Sequence, residues 1–238
     1  MIDAEFFTVL GLGFLLGARH ALDPDHVVAI STILSERPSF RASGLIGFSW
    51  GFGHTAALFL AGLVVILLKA AIPEPLAALA EFGVGVMLLA LGGSLAWRLY
   101  RQRWHLHAHR HGEKTHIHLH SHDVRPDHGH THWLRLSVRP FCVGMVHGLA
   151  GSAALMLMVL SAVRTVWEGI AYILIFGAGS IAGMMLLGML ISLPLVLSTS
   201  LGQRAHLAVQ GLASLGSIAL GLLMMVRIVF GTCSVPPC

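Results

Sequence analysis

Long apolar stretches alternate with short polar connections along the whole chain. A membrane-spanning helix needs about 20 predominantly apolar residues, and six stretches reach that length. They lie at residues 6–33, 44–68, 76–100, 141–163, 170–197 and 207–230. The pattern predicts an all-α polytopic membrane protein with six transmembrane helices. Only the first of them is interrupted by a group of charged residues.

The composition supports a membrane protein and argues against a soluble enzyme. Hydrophobic residues make up 55% of the chain and charged residues 11%, whereas soluble domains carry about 25% charged residues. His147 and Ser152 superficially resemble the pair of a membrane serine protease, but the sequence around them lacks a nucleophile motif. No His-Glu-x-x-His motif or ATP-binding loop is present either. We therefore expect no enzymatic activity.

The distribution of cations predicts the orientation of the six spans. Eleven lysines and arginines fall in the loops on one side, whereas the other side has only Lys69 and Arg164. Cytoplasmic loops carry the excess of positive charge in membrane proteins. Both termini are therefore predicted to lie outside, and the long connection after residue 100 is predicted to be cytoplasmic.

A short internal similarity relates the two halves of the chain. Residues 17–22 align with residues 144–149 at an offset of 127 and pair His20 with His147, and residues 52–55 align near residues 176–179. Three spans in each half would invert the second copy, which is a transporter architecture with its substrate site near the bilayer midplane. The alternative is chance similarity between glycine-rich helices. The predicted organisation is a first repeat at 1–100, a His-rich loop at 101–138, a second repeat at 139–232 and a short external tail at 233–238.

The charged group in the first span is the most informative segment. Residues 19–26 read Arg-His-Ala-Leu-Asp-Pro-Asp-His, and each charge buried in a membrane costs about 2.5–3.5 kcal/mol on insertion scales. Pro24 has no amide hydrogen and clashes with the preceding turn, so the helix is predicted to break near Pro24, over residues 21–25. The alternatives are a surface loop, or a closed network of His and Asp that only ties helices together.

An unwound turn at Pro24 would bring together side chains that a straight helix separates. On a continuous helix His20 and His26 would point about 120° apart. Arg19 and Asp23 are spaced for an ion pair, which leaves Asp25 to join the two histidines around a cation. Two imidazoles and a carboxylate suit nickel, cobalt or zinc better than calcium or magnesium.

Three further residues are candidates for the same site or its approach. His54 follows two glycines in the second span, and we favour a ligand role for it over a core histidine. His147 is interpreted equally well as lining the path or as a hydrogen-bonding residue between helices. Glu81 would attract cations at an external entrance, although snorkelling to water explains it equally well.

The connection between the two halves is rich in histidine, with 11 histidines in residues 105–132. In an extended chain alternate residues point the same way, so neighbouring imidazoles can share a metal ion. We expect a flexible metal buffer, sensor or delivery segment, and the alternative is a solvated linker. A membrane-anchored metal storage or sensor protein remains an alternative function. The histidines are His105, His107, His109, His111, His116, His118, His120, His122, His128, His130 and His132.

Residues 19–26 resemble the hallmark of the nickel/cobalt transporter family, a His-x4-Asp-His helix motif that typically reads Arg-His-Ala-x-Asp-Ala-Asp-His. Residues 52–55 look like its second helix motif, and residues 147–152 look like the short, six-span urease-associated branch. The resemblance implies that His20, Asp25 and His26 recognise the metal, with His54 as a fourth. We expect four further residues to line the transport path or to contact the ligands: Asp23, Arg19, His147 and Glu81.

The resemblance also implies a function. It indicates a permease of the bacterial inner membrane with no prosthetic group, with Ni²⁺, and also Co²⁺, as substrate. Uptake would supply metalloenzyme maturation, such as that of urease or hydrogenase, through a cytoplasmic metallochaperone. Pro24 replaces the usual alanine and resembles the exporter motif His-Gly-Leu-Glu-Pro-Gly-His, whereas Asp23 and Asp25 resemble the uptake motif. The direction of transport stays open at this stage.

Overall fold

The computed structural model describes residues 4–35, 39–69, 72–102, 106–111, 114–119, 133–150 and 165–231. This part of the chain forms seven helices and one two-stranded antiparallel hairpin. The helices are α1 (Ala4–His20), α2 (Pro24–Leu34), α3 (Phe40–Leu68), α4 (Glu74–Gln102), α5 (Trp133–Ala150), α6 (Val166–Ser200) and α7 (Gln203–Gly231). The strands are β1 (Leu106–His111) and β2 (Lys114–Leu119).

Within the described ranges, four helices are long and apolar enough to cross a membrane: α3, α4, α6 and α7. They contain the predicted spans 44–68, 76–100, 170–197 and 207–230, which are therefore confirmed as long apolar helices. The predicted span 141–163 begins within α5, but residues 151–163 lie outside the described part, as do Ser152, Arg164 and the tail 233–238. Large apolar side chains such as Leu15, Leu67 and Phe230 are exposed on the outside of the bundle. Such a surface suits lipid.

The first predicted span is divided into α1 and α2, and the division is shorter than predicted. Only residues 21–23 are non-helical, because Pro24 is the first residue of α2. A proline is tolerated there, since the amide hydrogens of the first turn have no helical partner in any case. The amides of Leu22 and Asp23 donate to carbonyls three residues back, which closes the end of α1. Asp25 consequently lies in the first turn of α2, not in the unwound segment as predicted.

The helices pack closely enough for their backbones to touch. Helix α3 lies between α5 and α6, α1 packs on α6, and α4 packs on α7. Glycines allow these approaches, because a Cβ atom at several of them, including the four below, would overlap a backbone carbonyl of the neighbouring helix. The pairs are Gly17 with Phe176, Gly179 with Phe14, Gly53 with Phe141, and Gly144 with Trp50.

Buried hydroxyl groups join α4 and α7. Ser214 Oγ donates to the carbonyl of Gly92 and Ser217 Oγ to that of Leu88, each at 2.8 Å. Polar groups in an apolar bundle need partners within the protein, since water is absent there. These bonds therefore fix the two helices in one register.

The histidine-rich connection contains the hairpin formed by β1 and β2. In its register His107 is the partner of His118 and His109 is the partner of His116. His111 is also in β1. The remaining histidines of the tract, His105, His120, His122, His128, His130 and His132, lie outside the described residues.

Candidate metal centre

Five side chains from four helices meet beside the break in the first span. His20 is the last residue of α1, and Asp25 and His26 lie in the first turn of α2. His54 lies near the middle of α3, and His147 lies in the last turn of α5. The imidazoles of His26, His54 and His147 are at most 2% exposed, whereas Asp25 is 25% exposed.

The potential ligand atoms form two overlapping groups. In each group one atom from every member lies within 4.8 Å of the others. One group contains His20, His26 and His54, and the other contains Asp25, His26 and His147. His26 belongs to both groups, so it is the residue that joins them.

Hydrogen bonds connect the acids to the histidines. Asp25 Oδ1 lies 3.0 Å from His26 Nδ1, and Asp25 Oδ2 lies 2.9 Å from His147 Nε2. Asp23 Oδ2 lies 2.8 Å from His20 Nδ1, while His20 Nε2 lies 3.2 Å from His54 Nε2. The predicted ion pair between Arg19 and Asp23 does not form in the described part, because the helix ends at His20 and Asp23 pairs with that histidine instead.

Several imidazole nitrogens at the centre are buried without a partner among the described residues. They are His26 Nε2, His54 Nδ1 and His147 Nδ1. A buried nitrogen that makes no hydrogen bond costs free energy, and a neutral imidazole has one lone pair that can bind a transition metal. The cluster is therefore chemically suited to a divalent transition-metal ion.

Aromatic rings enclose the histidines. Trp50 is fully buried; its indole is stacked against the ring of His26 at 6.0 Å and lies tilted 5.8 Å from the ring of His147. Phe176 lies 5.7 Å from His20. Apolar walls exclude water and strengthen interactions between an ion and its ligands. Neither residue was predicted from the sequence. Trp50 lies one helical turn before His54 and so shares a face of α3 with it, which could have placed Trp50 beside the site.

The structure brings together four of the predicted residues, His20, Asp25, His26 and His54, and adds His147 through its contact with Asp25. Glu81 is exposed on α4 and Arg19 is exposed at the end of α1, and neither belongs to the two groups. His147 had been interpreted as lining the path or packing helices; its hydrogen bond to Asp25 is what the sequence did not reveal.

Two curated proteins are similar to this chain. "Urease accessory protein UreH" of Bacillus sp. (strain TB-90) is 39% identical over 199 residues, which cover 83% of this chain and 82% of the relative. "Chloroplast protein FOR GROWTH AND FERTILITY 2" of Arabidopsis thaliana is 25% identical over 191 residues, which cover 77% of this chain and 47% of that protein. No solved structure has significant similarity to the chain.

The chain matches one protein family over almost its whole length. Residues 6–234 match the NicO family, described as "High-affinity nickel-transport protein". The match includes the interrupted first span, the histidine-rich connection and all helices of the second half, so it does not depend on one motif. Transport of nickel, not catalysis, is the activity of this family. The chain is therefore a membrane protein that belongs to the NicO family of nickel transporters.

Proposed function

We propose that this protein is a secondary transporter that carries Ni²⁺, and also Co²⁺, into the cytoplasm across the bacterial inner membrane. The observation that carries the proposal is the meeting of buried histidines and an aspartate inside an apolar helix bundle. Imidazole is a good ligand for nickel and cobalt and a poor one for magnesium and calcium. His20, Asp25, His26 and His54 recognise the ion, and His147 contacts Asp25 beside them.

The architecture we propose is six spans arranged as two inverted three-helix repeats. The glycine contacts support it. Gly17 lies against Phe176 and Gly144 against Trp50, and these contacts correspond to each other at the sequence offset of 127 residues, to within one residue. The contacts of Gly53 and Gly179 correspond in the same way. Such repeats rock about a central site and expose it to each side in turn.

The charge distribution supports an orientation, and the membrane potential favours a direction. With both termini outside and the histidine-rich connection in the cytoplasm, the inside-negative potential draws a divalent cation inward. The gain is about 2.3 kcal/mol per charge for each 100 mV. The relative from Bacillus bears the name of a urease accessory protein, which favours uptake that supplies nickel to an enzyme through a cytoplasmic metallochaperone.

Accumulation of radioactive Ni²⁺ in nickel-starved bacterial cells tests the proposal. We expect cells that express the protein to accumulate more nickel than cells with empty vector, and an excess of Co²⁺ to reduce the signal. Asp25→Ala, at equal protein level, should return accumulation to background because two histidines lose their partner. Accumulation below that of empty cells, again dependent on Asp25, would instead identify an exporter.

The histidine-rich connection has a separate expected role. We propose that the tract of 11 histidines at residues 105–132 binds cytoplasmic nickel, since imidazoles that are close together along a chain can share an ion. Deletion of residues 105–132 should leave uptake intact while lowering the amount of nickel bound per purified molecule. Equilibrium dialysis and uptake in parallel measure the two effects. Abolished uptake in the deletion variant, with normal membrane insertion, would contradict this assignment.

A further inference from the structure

The two acids of the Asp-Pro-Asp segment contact the histidines in a way that distinguishes between ligands and supporting residues. Resting on the proposed function, we propose that the transported ion binds three imidazoles, those of His20, His26 and His54. Asp25 then does not ligate the ion but holds His26 and His147 in fixed tautomers. His147 is a partner of Asp25, not a ligand.

The contacts of Asp25 leave one nitrogen of His26 available. A carboxylate accepts hydrogen bonds and cannot donate them when ionised, so His26 Nδ1 and His147 Nε2 both carry the hydrogen that Asp25 accepts. The backbone amide of His26 also donates to Asp25 Oδ1 at 2.9 Å. The lone pair of His26 is therefore on Nε2, which is buried and has no hydrogen-bond partner in the described ranges.

Asp23 has the same effect on His20. It accepts from His20 Nδ1, which leaves the lone pair on Nε2, the nitrogen that lies 3.2 Å from His54 Nε2. Two imidazole nitrogens that bind one ion at about 2.0–2.1 Å each, with an angle of about 90–110°, are about 2.9–3.4 Å apart. The spacing of His20 and His54 fits two ligands of one ion once the hydrogen of His54 moves from Nε2, where it donates to His20, to Nδ1.

The other group, Asp25 with His26 and His147, is less suited to the ion. Binding there through His26 Nδ1 and His147 Nε2, the nitrogens that contact Asp25, would remove their hydrogens and break the hydrogen bonds of both carboxylate oxygens. The three-imidazole group keeps them. A carboxylate behind a metal-bound histidine orients the ring and raises its basicity, and loss of such a partner typically lowers metal affinity 10–100-fold.

The arrangement also balances the charge of the ion. Three neutral imidazoles supply no charge of their own, and Asp23 and Asp25 together balance the two positive charges of the ion from just outside its ligands. A neutral assembly lowers the cost of holding the ion in the apolar bundle. An all-nitrogen ligand set further favours nickel and cobalt over magnesium and calcium, which prefer oxygen.

X-ray absorption at the nickel edge counts the imidazole rings around the ion and tests the inference. The sample is the purified full-length chain in detergent, loaded with one equivalent of Ni²⁺, with the 11 histidines of residues 105–132 replaced by asparagine. We expect three rings in this protein and two after His54→Ala. The matched control is His147→Ala, another buried histidine beside His26, which should leave three.

Asp25→Asn should keep three rings while raising the Kd for nickel about 10–100-fold, because asparagine can accept only one of the two N–H groups. Two rings in the parent protein, falling to one after His147→Ala, would overturn the inference and place the ion beside Asp25. If a variant fails to fold, the number of imidazole rings in the parent protein alone decides between three ligands and two. If the protein gives the two-ring result and cells that express it still take up nickel, the ligand assignment is wrong and the proposed function is still supported.

Discussion

Replacement of His26 by alanine is expected to reduce nickel accumulation to the level of cells that lack the protein. His26 belongs to both groups of ligand atoms, so no arrangement of the remaining side chains restores the site. Loss of a supporting carboxylate already lowers metal affinity about 10–100-fold, and loss of a central ligand should exceed that. The measurement is the initial rate of radioactive nickel uptake, normalised to the amount of protein in the membrane.

His206→Ala is the matched control for this prediction. His206 also lies in a helix, and its ring bonds to Ser198 Oγ at 2.9 Å, away from the metal centre. Removing that bond should cost about 1 kcal/mol of stability and leave uptake near the wild-type rate. Equal loss of uptake in both variants would mean that His26 acts on stability and not on the ion. Full uptake in the His26 variant would exclude the centre as the transport site.

Most features of the fold that depend on a short stretch of sequence were predictable. The four long spans follow from length and hydropathy alone, because a helix in lipid satisfies its own backbone and needs no partner to be recognised. The break in the first span follows from one residue, Pro24. Its extent was overestimated because proline is compatible with the first helical position, and this placed Asp25 inside α2.

The site was predictable from two short segments, residues 19–26 and residues 52–55, but not beyond them. His20, Asp25 and His26 lie within seven residues, so the motif identifies them. The contact between Asp25 and His147 depends on how closely α5 approaches the rest of the bundle, which a linear sequence does not specify. The expected pairing of Arg19 with Asp23 assumed a continuous helix, and it is wrong because the helix ends between them.

Gly17→Ala is expected to destabilise the bundle by about 3 kcal/mol and to abolish most nickel uptake. A Cβ atom at this position would overlap the carbonyl oxygen of Phe176 and lie 3.0 Å from the amide nitrogen of Ser180. Both obstacles are backbone atoms of α6, which cannot rotate aside, so α1 must move away. Overpacking of this kind typically costs about 1–3 kcal/mol or more. Because His20 lies one turn further along α1, the same movement separates it from His54.

Gly11→Ala supplies the comparison within the same helix. A Cβ atom at Gly11 would meet nothing within 4 Å among the described residues, so the change adds only the higher helix propensity of alanine, about 1 kcal/mol. Two measurements on both variants, thermal unfolding of the purified protein in detergent and nickel uptake by cells, separate the effect of helix packing from that of helix propensity. Equal melting temperatures together with equal uptake would contradict the close approach of α1 and α6. A stable Gly17 variant with lost uptake would show instead that the contact positions His20 without supporting the fold, since His20 is held between Asp23 and His54.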